Sequence, residues 1–286
     1  MSLAEGLRCP FCFSAGRGSH SLSPAGRLVL GCDAGHRIDV NKRGYVSLLP
    51  ARTRVVGDSP AMLEARSRFF ETGSYAPIAD ALTRAASGAL PRAVDRPRVA
   101  EMGCGTGYYL AAVCSALDSP RPLAADLSPD AVRIAVGAVP DAVGAVVDVW
   151  QPLPLADASE DLILSVFAPR NLAEFARVLA PGGSVVAVVP TGDHLREARA
   201  AGLALDVPAG KADDLADAAT PWFVETARAE VEFTLQLDEG TLALLLGMGP
   251  SSHHALADET RADDTGADAP RAITASVTVL TLRRRD

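Results

Sequence analysis

Four residues near the start of the chain have the types and spacing to hold a metal ion. Cys9-Pro-Phe-Cys12 is a C-x2-C pair, and nineteen residues later Cys32-Asp-Ala-Gly-His36 supplies C-x3-H. Three thiolates and an imidazole, in two close pairs on tight turns, form a donor set that zinc takes in tetrahedral geometry. The protein fills all four positions, so the predicted role is structural. A stretch of about 50 residues buries too little apolar surface to fold alone, and a metal would supply the missing stability. The rival reading is a redox C-x-x-C, which belongs in a βαβ pattern that is absent around Cys9. His20 fits neither pair and reads as a surface residue.

A second group begins at Glu101. The run Arg98–Met102 reads as a strand and leads into Gly103-Cys-Gly105-Thr-Gly107-Tyr-Tyr and a helix. A glycine-rich turn there lets a ligand approach backbone N–H groups and the helix N-terminus. A dinucleotide fingerprint needs glycine at 108, where this chain has Tyr108. The sequence E-x-G-x-G-x-G instead resembles the first motif of class I AdoMet-dependent methyltransferases. AdoMet has no pyrophosphate but carries a cationic amine and a sulfonium, so an acid beside the loop is favourable. A predicted strand, Arg121–Ala125, ends in Asp126, about twenty residues past the loop, where a carboxylate can bond a ribose diol. Another, Gly144–Val147, ends in Asp148, where methyltransferases commonly bind the adenine amine. Each acid alone also suits a helix cap or a solvated strand end. Three in register with a glycine loop make a stronger pattern.

The elements that must position these groups follow from periodicity. Met62–Thr72 carries Met62, Leu63, Ala65, Arg66, Phe69 and Phe70 at helical spacing. Gly73-Ser-Tyr75-Ala-Pro77 breaks it, and Ile78–Ala89 reads as a second helix. Ser128-Pro-Asp130 is a helix start, with a hydroxyl cap and proline in the first turn. Strand Asp161–Phe167, loop Ala168-Pro-Arg-Asn171 and a helix through Leu179 come next. Pro181-Gly-Gly183 then turns the chain into strand Ser184–Val189. Near the end, Glu230–Leu237 and Ile273–Leu282 alternate like strands around a helix at Glu239–Met248. The polar, acidic segment 251–271 between them reads as a mobile loop. Five βα units finished by a strand pair, the last inserted antiparallel, give a seven-stranded α/β plan.

The 286 residues are 48% apolar and 22% charged, an ordinary globular composition. The longest apolar runs, around Ser184–Pro190 and Leu242–Met248, fall short of a membrane span. The N-terminus has no charged-then-apolar signal region, so a soluble, cytoplasmic protein with no membrane contact is expected. Net charge is −8, but residues 1–56 set eight bases against Glu5, Asp33 and Asp39. That end is +5 and the remainder −13. Such asymmetry suits a polyanionic partner held by the N-terminal end; a solvated surface is the simpler reading of charge alone. Within Arg37–Pro50, bases alternate with apolar residues, so Tyr45 is available to stack on RNA. Ile38, Val40, Tyr45, Leu48 and Leu49 are also expected to pack beside the metal site.

These motifs together resemble one family, the RlmA-type 23S rRNA (guanine-N1)-methyltransferases, and within it the actinobacterial branch of tylosin-type macrolide resistance. The resemblance lies in C-P-x-C…C-x3-H with Asp39-Val-Asn-Lys-Arg-Gly-Tyr-Val-Ser-Leu-Leu-Pro50. It continues in Gly57-Asp-Ser59, Ala65-Arg66…Phe69, Gly73-x-Tyr75-x-Pro77 and Gly103–Tyr109. Further matches are Phe167-Ala-Pro169, Arg177–Gly183 and Pro190-x3-His194-Leu195. It covers roughly residues 9–200, and the knuckle with its G-Y-V-x-L-L continuation is the specific part.

The resemblance implies a class I AdoMet-dependent methyltransferase, Rossmann-like with a seven-stranded sheet, over 53–286. A small zinc-binding, RNA-recognition module would occupy 1–52. It implies Cys9, Cys12, Cys32 and His36 as zinc ligands. For AdoMet it adds Gly105 and Thr106 as loop contacts, with Tyr75 and His194 flanking the methionine end. The implied reaction is methylation of N1 of a guanine in a domain II hairpin loop of 23S rRNA, near the peptide exit tunnel. Phe167, Arg170 and Asn171 would stack on and hydrogen-bond the target base. The family also forms homodimers, which implies one here. The chain departs from it in the acidic segment 251–271 and in having only two lysines, Lys42 and Lys211. Two other classes stay open: a small-molecule methyltransferase whose zinc module is purely structural, and a non-catalytic AdoMet- or RNA-binding protein.

Overall fold

Four helix starts are dictated locally. Ser59 and Ser128 accept hydrogen bonds from Met62 N and Ala131 N, with proline next in line, and open α2 (Pro60–Glu71) and α5 (Pro129–Ala138). Asn171 and Asp238 cap α6 (Leu172–Val178) and α9 (Glu239–Gly247) in the same way. The computed structural model describes residues 3–16, 18, 20–49, 57–90, 94–249 and 270–286. The expected boundary between residues 52 and 53, and positions 251–269 of the acidic segment, lie outside the described residues.

The strands of the main body are β5 (Arg98–Met102), β6 (Arg121–Asp126), β7 (Val143–Val146), β8 (Glu160–Val166), β9 (Leu179–Pro190), β10 (Phe223–Leu237) and β11 (Arg271–Arg284). Their order is β7-β6-β5-β8-β9-β11-β10. The first five run parallel, and β11 is antiparallel to both β9 and β10. The order reverses between β5 and β8, so a crevice opens there at the carboxyl ends of the strands. Helices α3 (Ala76–Ala89) and α4 (Tyr108–Ser115) pack with α2 and α9 on one face.

The sheet does not stop at seven strands. The N-terminal segment folds as α1 (Pro10–Ser14), β1 (Ser23–Gly26), β2 (Val29–Gly31), β3 (Arg37–Asn41) and β4 (Tyr45–Ser47). Strand β4 pairs parallel with β7, Tyr45 opposite Gly144, which extends the sheet to eleven strands. A Cβ at Gly144 would lie 2.4 Å from Val132 and 2.6 Å from Tyr45, so only glycine admits this approach. Alternation along β4 sends Tyr45 and Val46 to opposite faces. Ile38, Val40, Val46 and Leu48 therefore share a core with Cys9, Cys12 and Cys32. Tyr45 and Leu49 instead pack against the α3/α4 side, a correction to the expectation that all five line the metal site.

The two parts are also joined by polar contacts. Arg8 N donates to Pro154 O at 3.0 Å, and Leu7 bridges Leu155. The Arg8 guanidinium lies 3.5 Å from the Phe13 ring centroid and 3.3 Å from Asp157. Arg177 grips Glu174 through two bonds of 2.9 and 2.6 Å and reaches Asp157 at 2.7 Å.

Three features differ from the sequence reading. Pro181-Gly-Gly183 is a bulge inside β9, with Gly182 at φ 75°, where a turn was predicted. Strand β10 starts at Phe223, well before Glu230. Two short helices, α7 (Arg196–Ala200) and α8 (Lys211–Ala219), lie between β9 and β10.

Burial makes one stability prediction here. The Glu160 carboxyl is fully buried with Oε2 unpartnered, and burial pushes it up to about 8 from 4.5. The folded state then holds a proton that the unfolded chain has released. Stability should fall as pH rises from 4.5 to about 8. Glu160→Gln should remove that decline and stabilise the protein at pH 8.5 by roughly 2–4 kcal/mol in urea titrations. An unchanged midpoint would show that the carboxyl finds water.

Candidate active site and metal centre

The N-terminal donors converge as their spacing predicts. The ligand atoms of Cys9, Cys12, Cys32 and His36 all lie within 4.8 Å of one another. His36 Nδ1 is 3.5, 3.4 and 3.4 Å from the sulfurs of Cys9, Cys12 and Cys32, and Cys12 Sγ is 3.9 Å from Cys32 Sγ. Zinc bonds near 2.3 Å to sulfur and 2.0 Å to nitrogen require tetrahedral edges of about 3.8 and 3.5 Å. The donor set and its spacing therefore fit the metal. Cys9 and Cys12 are set by the first turn of α1, with Pro10 at its start. Cys32 and His36 are set by the β2–β3 turn, where Gly35 has φ 89°. His20 lies at the surface, part-exposed, and is paired with Asp33 beside this turn.

At the crevice between β5 and β8 lies a cavity of about 660 Å³. Tyr75, Glu101, Gly103, Gly105, Thr106, Asp126, Asp148, Phe167 and His194 all border it. The loop after β5 is held by Asp126. Its Oδ2 accepts from Gly105 N at 2.9 Å, and its Oδ1 accepts from Ser128 N at 2.9 Å. Gly103 sits at φ 79°, and a Cβ there would be 2.6 Å from that of Ala168. Gly107 is behind the cavity, where its lack of a side chain lets α4 close on Ala135. Glu101 is buried and accepts from Leu110 N at 3.1 Å. Burial holds its carboxyl well above the usual range. A cation placed beside it would offset that penalty. An acid-lined cradle around a tight glycine loop fits AdoMet, which carries positive charge at the sulfur and the amine.

Tyr75 and His194 meet at this wall, Oη to Nε2 at 3.4 Å. His194 Nδ1 accepts from Ser276 N at 3.2 Å, so the neutral ring carries its proton on Nε2 and donates it to Tyr75. The Tyr75 hydroxyl is then left to donate into the cavity. Burial lowers His194 to about 4 from 6.5. The unfolded chain takes up this proton first, so stability should be complete above pH 6.5 and fall toward pH 4. A loss of about 3 kcal/mol is expected over that window, and His194→Gln should flatten it. Equal pH slopes for both proteins would sink the assignment.

Phe167 follows β8 in the left-handed region, φ 51°, with its ring 41% exposed. A bulky residue held in that region carries backbone strain. Its ring centroid is 5.7 Å from that of His194 and 6.4 Å from that of Tyr75. Arg170 and Asn171 are not on the cavity wall. Asn171 caps α6, and Arg170 has a buried Nε without a partner. Residues the sequence reading missed also border the cavity. Arg66 on α2 spans from Asp58 (2.5 Å) to Met248 O (2.6 Å) over Gly105, and Lys211 opens α8. Arg66 stands in the quoted Ala65-Arg66 match, which was the one available signal for it.

Residues 99–183 match the family described as Methyltransferase domain. The chain is 39% identical over 283 residues to a Micromonospora griseorubida protein named as a 23S rRNA (guanine-N(1)-)-methyltransferase, covering 95% of each. It is 38% identical over 257 residues to the 23S rRNA (guanine(748)-N(1))-methyltransferase of Streptomyces fradiae, covering 88% of each. A Bacillus subtilis protein of similar name is 34% identical over 200 residues, 68% of this chain and 67% of that one.

Proposed function

Because the chain belongs to the 23S rRNA (guanine-N1)-methyltransferase family and has the class I AdoMet-dependent fold, we propose that it modifies a guanine in a domain II hairpin loop near the peptide exit tunnel, conferring tylosin-type macrolide resistance. The enzyme is an AdoMet-dependent transferase acting on N1 of guanine in 23S rRNA. One observation carries the reading: the Cys3His cluster and the glycine-loop cavity are built on a single sheet, and the similarity to rRNA methyltransferases spans both. A small-molecule methyltransferase is not what those relatives support.

AdoMet supplies the electrophilic methyl group. Gly103, Gly105 and Thr106 offer the loop that holds it, Asp126 the acceptor for its ribose and Asp148 that for its adenine. Glu101 faces its cationic part, and Tyr75, oriented by His194, donates at the methionine end. N1 lies on the Watson–Crick edge, so the base must be unpaired and turned outward before it reacts. Phe167 presents its ring to that base. His194 carries its free proton on Nε2 and so serves as a donor, not as the proton acceptor. Cys9, Cys12, Cys32 and His36 hold a structural zinc, and the basic residues around it bind phosphates. An RNA substrate of this kind places the protein in the cytoplasm, and among the described residues no helix is long and apolar enough to cross a membrane.

The test is incubation with AdoMet and deproteinised 23S rRNA, followed by mapping of reverse-transcriptase stops. N1-methylguanine cannot pair, so a new stop in a domain II hairpin is expected. AdoMet binding without any stop would overturn the reading.

A further inference from the structure

We propose that Trp150 is a second stacking platform, which holds an unpaired RNA base next to the target guanine as the strand passes from the basic module into the cavity. The inference rests on the reading of the reaction given above and names a residue which that reading does not use.

Trp150 is the most exposed large apolar side chain among the described residues, at 64%. An indole left in water on a loop is informative only if the loop is rigid, and this one is pinned at both ends. At the cavity end, Asp148 accepts from Trp150 N at 3.0 Å, and Gln151 N donates to Asp148 O at 3.1 Å. At the other end, Leu153 and Leu155 are buried, and Leu153 N donates to Glu174 at 2.6 Å. Arg8 of the N-terminal module bonds Pro154 O, and Arg177 bonds both Leu153 O and Leu155 O. The segment from Asp148 to Leu155 thus runs from the cavity to the hydrogen bonds that dock the module, with Trp150 at the cavity mouth.

Charge selects the occupant. Arg27, Arg37, Lys42 and Arg43 are exposed on the module, and no ion pair to an acid holds any of them among the described residues. A polyanion seated there and feeding a base to Phe167 crosses the indole. A flat, sequence-tolerant aromatic surface is what an unpaired base stacks on, as in single-strand binding proteins.

The readouts are kinetics and fluorescence. Trp150→Ala should raise KM for deproteinised 23S rRNA about tenfold, leave kcat and the KM for AdoMet near their starting values, and keep the thermal midpoint. Trp150→Phe should recover most of the loss. Trp222 is the only other tryptophan and stands before β10, the edge strand at the far end from β7 of the order β7-β6-β5-β8-β9-β11-β10. In a Trp222→Phe background the emission therefore reports Trp150 alone. Quenching is expected on adding a synthetic RNA stem-loop with guanine in its loop, and none on adding AdoMet. An unchanged KM for RNA would overturn the proposal. So would quenching by AdoMet alone with a raised AdoMet KM, which would make Trp150 a wall of the cofactor site. The fluorescence reads binding without turnover. It decides the stacking even if the wild type methylates no 23S rRNA, a result that would instead overturn the assigned reaction.

Discussion

Asp126→Ala is expected to weaken AdoMet binding about 100-fold, or about 2.7 kcal/mol, in isothermal titration. The carboxylate has two duties. It ties Gly105 N and Ser128 N together at 2.9 Å each, and it is the acceptor placed for the ribose. Hydrogen bonds to a charged acceptor are each worth about 1.5–3 kcal/mol, and buried amides left without partners cost a similar amount. Not all of that reaches affinity, because the freed loop also relaxes. Asp126→Asn should lie close to alanine, since its NH2 would face one of the two backbone donors. RNA affinity should move by less than about threefold, as the basic module is untouched. Wild-type AdoMet affinity in Asp126→Ala would remove the residue from the site.

Zinc removal has the second large expected effect. Cys12→Ser, or prolonged chelation, should abolish detectable rRNA methylation and weaken RNA binding by at least about 100-fold, because metal binding is folding free energy for so small a module. AdoMet affinity should stay within about threefold, since Val99 of β5 and Ala124 of β6 keep the opposite face of these strands packed on α3 and α4. The thermal midpoint should fall as well, because Cys9, Cys12 and Cys32 share one apolar cluster with Leu123, Ala145 and Ile163 of the parallel strands. Full methylation by Cys12→Ser would disprove a recognition role for the module.

Much of this site could be read in the chain because its chemistry sits at strand ends. Glu101, Asp126 and Asp148 each close an apolar run, and a run buried on both faces announces itself by composition. The metal donors were legible for a similar reason: two turns fix the spacing within each pair, and only the excursion between them is free. What escaped depends on contacts between distant segments. Strand β4 is three residues long, and nothing in Tyr45-Val-Ser47 says that its partner is Val143–Val146, a hundred residues away. Helices α7 and α8 are short and their apolar residues are almost all alanine, with Leu215 the one large side chain, so the apolar face is too slight to announce a helix. Arg66 reaches the glycine loop only because α2 folds across it. Asn171 looked suited to a base, but its side chain answers first to the open N–H groups of α6.

The pairing of Tyr45 with Gly144 bears on how such proteins can be recombined. A chimaera that grafts the metal-binding end of one relative onto the cavity of another cannot treat the two as beads on a string. Cutting before β4 leaves β4 with its own β7 but sets a foreign β3 against it across the pairs Val40–Val46 and Asn41–Tyr45. Cutting after it brings a bulky ring onto a position that tolerates no Cβ. The recipient must therefore already carry glycine opposite the incoming strand, which makes that residue the compatibility mark to look for when choosing parents.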